Sequence, residues 1–122
     1  MSILGIDIGT TGTKAIVFSE DGKVLESGYV EYDLVFPNPG WVEFDVKSMW
    51  KKIFDVIRKV NSSDDVKKDP VTALSVSTVG ESFTPIDKDG NTLYNTIYSS
   101  DSRSKKELEY IFTKIPAKEL YY

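Results

Sequence analysis

Near the N-terminus an acid, a bend of small residues and a cation follow one another within eight positions. Asp7 closes an apolar run over residues 3–8, Gly9, Thr10, Thr11, Gly12 and Thr13 make the bend, and Lys14 opens a second apolar run. Gly9 and Gly12 let the backbone turn sharply and approach a ligand closely. Amides in such a turn form a concave anion site. The three threonines add hydroxyl donors, and Lys14 adds a compact positive charge. Together these groups suit phosphate oxygens. Asp7 would repel phosphate unless a cation lay between them. Mg²⁺ favours one or two carboxylates together with water and substrate phosphates. The pattern therefore reads as carboxylate, metal, phosphate and ammonium in series, a site for Mg²⁺-nucleotide. The plainer alternative is a tight hairpin with a solvated acid.

Two familiar phosphate loops are excluded. A Walker A loop needs Gly, four residues, then Gly-Lys-Ser/Thr, whereas Lys14 follows Thr13. The dinucleotide pattern GxGxxG fails because Asp7 stands where its first glycine would be.

Composition narrows the chemistry further. The 122 residues include no cysteine and no histidine. Disulfides and thiolate metal sites are out, and so is the usual general base near neutral pH. Carboxylates, hydroxyls, Lys, Arg and backbone amides must do any work. The net charge is −4, with cations and anions interspersed, which argues against a nucleic-acid partner. No apolar run reaches the ~20 residues of a membrane helix. The N-terminus lacks a basic stretch followed by an apolar block. No membrane partner and a cytoplasmic location are expected.

The elements that would position these groups can be read from periodicity. Residues 3–8, 14–18 and 24–32 read as an antiparallel three-strand meander, with Asp21-Gly22 as a hairpin turn. Pro37, Pro39 and Gly40 interrupt regular structure. A helix follows, with Val46, Met49, Trp50, Ile53, Phe54, Ile57 and Val60 on one face. Trp50 is expected to pack within that face, and Trp41 is read as a packing residue too. Asp45 is the candidate N-cap, and Phe44 is a candidate staple onto Met49. The polar run 61–69 should end the helix. Residues 70–77 read as a strand and 83–87 as a shorter edge strand containing Pro85. Residues 88–91 read as a turn and 92–98 as partly extended. A second helix is expected over 102–114, where Asp101 could cap it, and a third from Pro116 through Tyr122. Strands followed by helices in this order give an α/β class. The predicted sheet is mixed, with flanking helices, in the order of a ribonuclease H-like fold. A chain that stops at Tyr121-Tyr122 inside a predicted helix is expected to be a fragment or a shortened gene product. Core edges left open that way would favour homo-oligomers.

Three segments carry a family resemblance. "GIDIGTTGTKAIVF" resembles the first phosphate loop of the FGGY family of carbohydrate kinases, "PGWVEFD" its stretch before the first helix, and "ALSVSTVGESFTPIDKDGNTLYNTIYSSDSRS" its strand, turn and acidic loop facing the sugar. The resemblance covers essentially the whole chain, residues 1–122, as the N-terminal part of the family's first domain. It implies a ribonuclease H-like (actin-like ATPase) fold and transfer of phosphate from ATP, with Mg²⁺, to a sugar hydroxyl. By position it implies that Asp7 holds the metal and that Thr10, Thr11 and Lys14 reach the nucleotide phosphates, within the cofactor-binding stretch Gly9, Thr10, Thr11, Gly12, Thr13 and Lys14. It implies sugar contacts from Gly80, Glu81, Asp101 and Arg103. Glu81 could otherwise be an exposed turn acid, and Arg103 a partner for a nearby acid. The family's general base lies beyond residue 122, as does its nucleotide domain, so no catalytic residue is assigned and little activity is expected of these residues alone. Departures bear on the substrate. Glycerol-type members have Arg where this chain has Gly80 and Trp where it has Ser99, which counts against glycerol. Xylulose-type members carry Met-His at 80–81. These departures leave the sugar open, and the expected acceptor is a sugar or sugar acid, such as a pentulose like xylulose, or gluconate. The competing readings are a non-catalytic sugar- or nucleotide-binding module and a fragment of another actin-like ATPase.

Overall fold

The computed structural model describes residues 1–120. Three strands, β1 (Ser2–Ile8), β2 (Gly12–Ser19) and β3 (Val24–Glu31), form the antiparallel meander. The β2–β3 turn is tight. Gly22 at φ 82° donates its N–H to the Ser19 carbonyl, and Ser19 donates to that of Lys23. A two-residue strand β4 (Glu43–Phe44) precedes helix α1 (Val46–Asn61). A short helix α2 (Asp64–Lys68) leads to β5 (Val71–Thr78), which lies parallel to β1. The sheet order is β3-β2-β1-β5. A second, two-stranded sheet pairs β4 with β6 (Thr96–Ile97). Helix α3 (Lys105–Phe112) and a 3₁₀ turn (Ala117–Glu119) follow.

Alternation in the strands fixes two faces. Leu4, Ile6, Ala15 and Val17 are buried toward α1, where Val56 and Val60 meet them, and Val66 of α2 closes the end. The intervening residues, among them Gly5, Asp7, Lys14, Ile16 and Phe18, therefore lie on the opposite face. Gly28 of β3 belongs to the helix side. A Cβ there would stand 2.7 Å from a Val56 methyl, so the close approach of α1 to β3 requires glycine.

Asp45 caps α1 as expected, its carboxylate accepting from the Lys47 N–H at 2.9 Å. Phe44 packs between the rings of Tyr32 and Tyr98, and it lines one small cavity with Met49.

Several details differ from the sequence reading. Trp50 is half exposed and stacked on Phe54, which is equally exposed, with ring centroids 5.7 Å apart. The buried stripe is Val46, Ile53, Val56 and Val60. At about 100° per residue, Trp50 and Phe54 sit roughly 75° and 115° around from its centre. The polar run 61–69 holds helix α2, capped by Ser63 and anchored by Val66. Residues 83–87 form no strand, only isolated bridges, Phe83 to Ile97 and Ile86 to Thr92. Pro85 has no N–H to offer a ladder. The second helix is shorter than 102–114. Asp101 is engaged elsewhere, and Ser104 stands at the N-cap without a side-chain bond. Instead of a third helix from Pro116 there is one 3₁₀ turn, and Tyr121 and Tyr122 lie outside the described residues.

Candidate functional site

The end of β1 and the start of β2 build the first wall of the site. In the antiparallel register Asp7 stands directly opposite Lys14, and in the parallel register opposite Ser77 of β5. All three line a groove of about 260 Å³ on the sheet face away from α1, floored by Gly5 and Ile16. Asp7 and Lys14 are both exposed. Among the described residues neither forms a salt bridge or a side-chain hydrogen bond. Elsewhere on the surface Asp and Lys readily pair, as Lys52 does with Asp33 and Lys51 with Asp55.

Between them the bend 9–12 is closed by the Gly9 N–H donating to the Gly12 carbonyl at 2.9 Å. Gly12 admits no side chain, since a Cβ would lie 2.2 Å from the Val30 carbonyl oxygen. The Tyr32 N–H donates to the Thr11 carbonyl, and the Thr11 hydroxyl lies 3.3 Å from that of Tyr29. Thr10 and Thr11 are exposed at the tip. Thr13 is not with them. It is fully buried on the α1 side, and its hydroxyl bonds that of Tyr32.

These residues fit a Mg²⁺-phosphate ligand by their chemistry. Among the described residues no group of three or more acidic side chains could form an all-protein metal cage. One open carboxylate beside backbone amides, hydroxyls and an ammonium matches a metal held mainly by water and phosphate.

The second wall follows β5. Gly80 and Glu81 are exposed, and Glu81 holds φ 60°, in the left-handed region. It takes part in no hydrogen bond among the described residues.

Asp101 and Arg103 are brought together, but with Glu43 rather than with Glu81. Arg103 donates from Nε and Nη2 to the Asp101 carboxylate at 2.8 Å and from Nη2 to Glu43 at 2.6 Å. Asp101 also accepts from the Val42 and Arg103 N–H groups. Glu43 is 1% exposed and accepts further from the Tyr94 hydroxyl and the Asn95 amide. The Trp41 ring lies 3.9 Å beneath the guanidinium. Trp41 thus packs, but against a cation. The Arg103 side chain holds the Asp101 carboxyl well below the usual carboxylate range, outweighing burial, and Asp101 in turn raises Arg103. For Glu43, burial pushes the carboxyl up, and bonds from Arg103, Asn95 and Tyr94 outweigh it, leaving a lowered value.

Glu43, Tyr94 and Asn95 escaped the sequence reading. Their one signal was an acid inside "WVEF" between apolar neighbours, a position that demands a buried partner. A groove of about 550 Å³ beside Glu43 and Tyr94 is lined by none of Asp7, Lys14 or Glu81.

Comparison with known proteins gives consistent results. The model of the FGGY family of carbohydrate kinases, N-terminal domain, matches residues 2–122. A glycerol kinase of Clavibacter michiganensis is 35% identical over 105 residues, 85% of this chain and 21% of its own length. The structure of a xyloylose kinase from Brucella ovis superposes with a TM-score of 0.84 at 26% identity, over 93% of this chain and 24% of that one. A gluconate kinase from Lactobacillus acidophilus gives 0.83 at 25%, over 98% and 24%. The chain thus spans less than a quarter of the length of these relatives.

Proposed function

As the chain belongs to the FGGY family of carbohydrate kinases and is the N-terminal portion of their actin-like ATPase fold, we propose that the protein phosphorylates a hydroxyl of a sugar or sugar acid, with Mg²⁺-ATP as donor. A pentulose or gluconate is the favoured acceptor. The relatives that match by sequence are glycerol kinases, and the structural neighbours include xylulose- and gluconate-type enzymes. Gly80 and Ser99 replace the arginine and tryptophan of the glycerol pattern, which counts against glycerol, while Gly80-Glu81 also departs from the Met-His of the xylulose pattern.

One observation supports the reading above all. Asp7 and Lys14 oppose each other in register at the mouth of the 9–12 bend, and neither is paired with the other. Opposite charges held apart on one face suit a ligand that carries both signs. Bound Mg²⁺-ATP supplies the phosphoryl group, with its charge already partly neutralised by the metal. The Asp7 carboxylate would hold the metal. The bend amides, the Thr10 and Thr11 hydroxyls and the Lys14 ammonium bind phosphate oxygens. Glu81 accepts bonds from acceptor hydroxyls, which a carboxylate does in charge-assisted form. The Glu43–Arg103–Asp101 cluster fixes the chain over 98–104, so Asp101 and Arg103 serve the sugar wall by holding its shape.

Coupled ADP release by the full-length gene product over a panel of pentuloses, aldonates and polyols tests this. Turnover should fall about 10- to 100-fold in Asp7→Asn. Acceptor-dependent turnover retained in that variant would overturn the role of Asp7.

A further inference from the structure

Ser82 follows the exposed Glu81, and its hydroxyl points the other way in environment if not in sequence. Its Oγ is buried and, among the described residues, has no hydrogen-bond partner. A buried hydroxyl without a partner is rare in a folded protein. It borders a cavity of about 150 Å³ whose walls come from both halves of the site. Ile8 and Gly9 belong to the phosphate bend, Thr78 and Ser82 to the loop after β5, and Thr84 and Thr96 to the segment that β6 anchors. The two halves are joined at this point, since the Val79 N–H donates to the Ile8 carbonyl at 2.9 Å. Thr84 and Thr96 satisfy each other through their hydroxyls, which leaves Ser82 as the open donor. Glu81 at φ 60° is the lone non-glycine residue in the left-handed region among those described. Such a conformation is uncommon for a side-chain-bearing residue and concentrates at functional sites. Glu81 is exposed at this bend, while the hydroxyl of the next residue, Ser82, is buried.

We propose that Ser82 is a substrate-binding residue whose buried hydroxyl bonds one hydroxyl of the phosphoryl acceptor in the cavity shared by Gly9 and the 78–84 loop. The inference rests on the kinase reading above and adds a specificity contact to it. The lining decides the ligand's chemistry. Apolar side chains and neutral hydroxyls surround the cavity, with no lysine or arginine. A phosphate oxygen would enter uncompensated, whereas an uncharged hydroxyl can both donate and accept. Ser82 would then hold the acceptor beside Gly9 of the bend that binds the phosphates.

The test is steady-state kinetics on the full-length gene product with Ser82→Ala, Ser82→Cys and Ser82→Thr, paired with thermal shifts induced by acceptor and, separately, by Mg²⁺-ADP. Loss of one neutral hydrogen bond predicts an acceptor KM raised about 10-fold in Ser82→Ala and Ser82→Cys, with the nucleotide KM unchanged. Ser82→Thr, which keeps the hydroxyl, should recover most of the difference. The acceptor-induced thermal shift should shrink in the first two variants, and the Mg²⁺-ADP shift should not. Unchanged acceptor KM and thermal shift in Ser82→Ala would overturn the inference while leaving the kinase reading intact. Equal rises in both KM values, without rescue by Thr, would also overturn it, marking Ser82 as structural. A wild-type protein that neither turns over nor is stabilised by any acceptor would overturn both. Stabilisation by acceptor without turnover would overturn the kinase reading alone if Ser82→Ala abolishes that shift, and both if it does not.

Discussion

Where β1–β3, α1 and α2 meet, the interior consists chiefly of aliphatic side chains, and where residues 41–43 meet residues 94–103 it consists of a carboxylate pair, a guanidinium and an indole. Leu4, Ile6, Ala15, Val17, Val56, Val60 and Val66 form one continuous cluster around which β1–β3, α1 and α2 close. Each large member contributes about 1.5–3 kcal/mol by leaving water. Among the described residues the region after residue 83 has no such cluster. Phe83, Ile86 and Leu93 are each about 60% exposed, and none of the residues of α3 is buried. What joins it to the rest is Glu43, Asp101, Arg103 and Trp41, with the short β4–β6 pairing beside them. The two walls of the site are therefore secured by different forces. Apolar burial is tolerant of pH and adds up over many contacts. A buried ion cluster depends on every partner being present and charged. The phosphate wall should thus be robust, and the sugar wall should be the part that loosens first.

The largest effect should come from breaking the first region. Leu4→Ala removes a 3% exposed side chain from β1, three positions before Asp7. A loss of about 2–5 kcal/mol is expected, read as the shift in urea midpoint at constant m-value. Because β1 pairs with both β2 and β5, protection should fall throughout the sheet. A loss confined to residues 83–120 would contradict the proposed division.

A smaller and more local effect should follow from Glu43→Gln. The amide keeps the shape but leaves Arg103 short of one buried counter-charge and turns one of the two acceptor oxygens into a donor, so that the bond from Asn95 or those from Tyr94 and Arg103 can no longer be accepted. Hydrogen exchange should rise over 92–104 and hardly change in β1–β3. The same cluster sets a pH dependence. Glu43 and Asp101 both titrate lower in the folded chain than in the unfolded one. Their contribution is complete above the ordinary carboxylate range of about pH 4 and is lost as pH falls below it. The raised Arg103 adds no change at accessible pH, since it is charged in both states. Amide exchange over 92–104 should therefore accelerate between about pH 4 and pH 2 relative to β1–β3, once intrinsic rates are removed. Equal acceleration in both regions would show that the cluster is not what secures the sugar wall.

The division also explains what could be read from the sequence. Alternation at Leu4, Ile6, Ala15 and Val17, the cap at Asp45 and the turn at Gly22 are local signals, and the meander, α1 and β5 followed from them. The bend 9–12 was legible for the same reason, because its glycines and threonines are contiguous. The Glu43–Arg103 contact joins positions 60 residues apart, and no local period reports it. Trp50 misled because hydrophobicity alone does not set the centre of a helical stripe. That centre is chosen by the sheet beneath, which meets Val56 and leaves Trp50 and Phe54 outside. Asp101 looked like a helix cap since its spacing suits one, yet helix α3 begins later, and the Asp101 oxygens are taken by the Arg103 guanidinium together with the Val42 and Arg103 N–H groups. Ser82 offered no sequence signal at all, because the lack of a partner for its hydroxyl depends on residues distant in the chain that line the same cavity.

The smallest effect sharpens the comparison at the seam between the two regions. Asp45 sits at the junction of β4, which belongs to the polar cluster, and α1, which belongs to the apolar core. Its carboxylate accepts from the Lys47 N–H and satisfies one of the free amides of the first turn. Asp45→Ala should cost about 1 kcal/mol, within the range for N-caps. If apolar packing alone secures α1, the loss should appear as fraying of its first turn, with faster exchange near residues 47–49 and no change at Val56 or Val60. If the cap also orients β4, exchange at Thr96 and Ile97 should rise in step, since Glu43 and Phe44 pair with them. The packing of Phe44 between Tyr32 and Tyr98 argues for the first outcome. That aromatic stack holds β4 from both sides independently of the cap, so the helix end can loosen without moving Glu43.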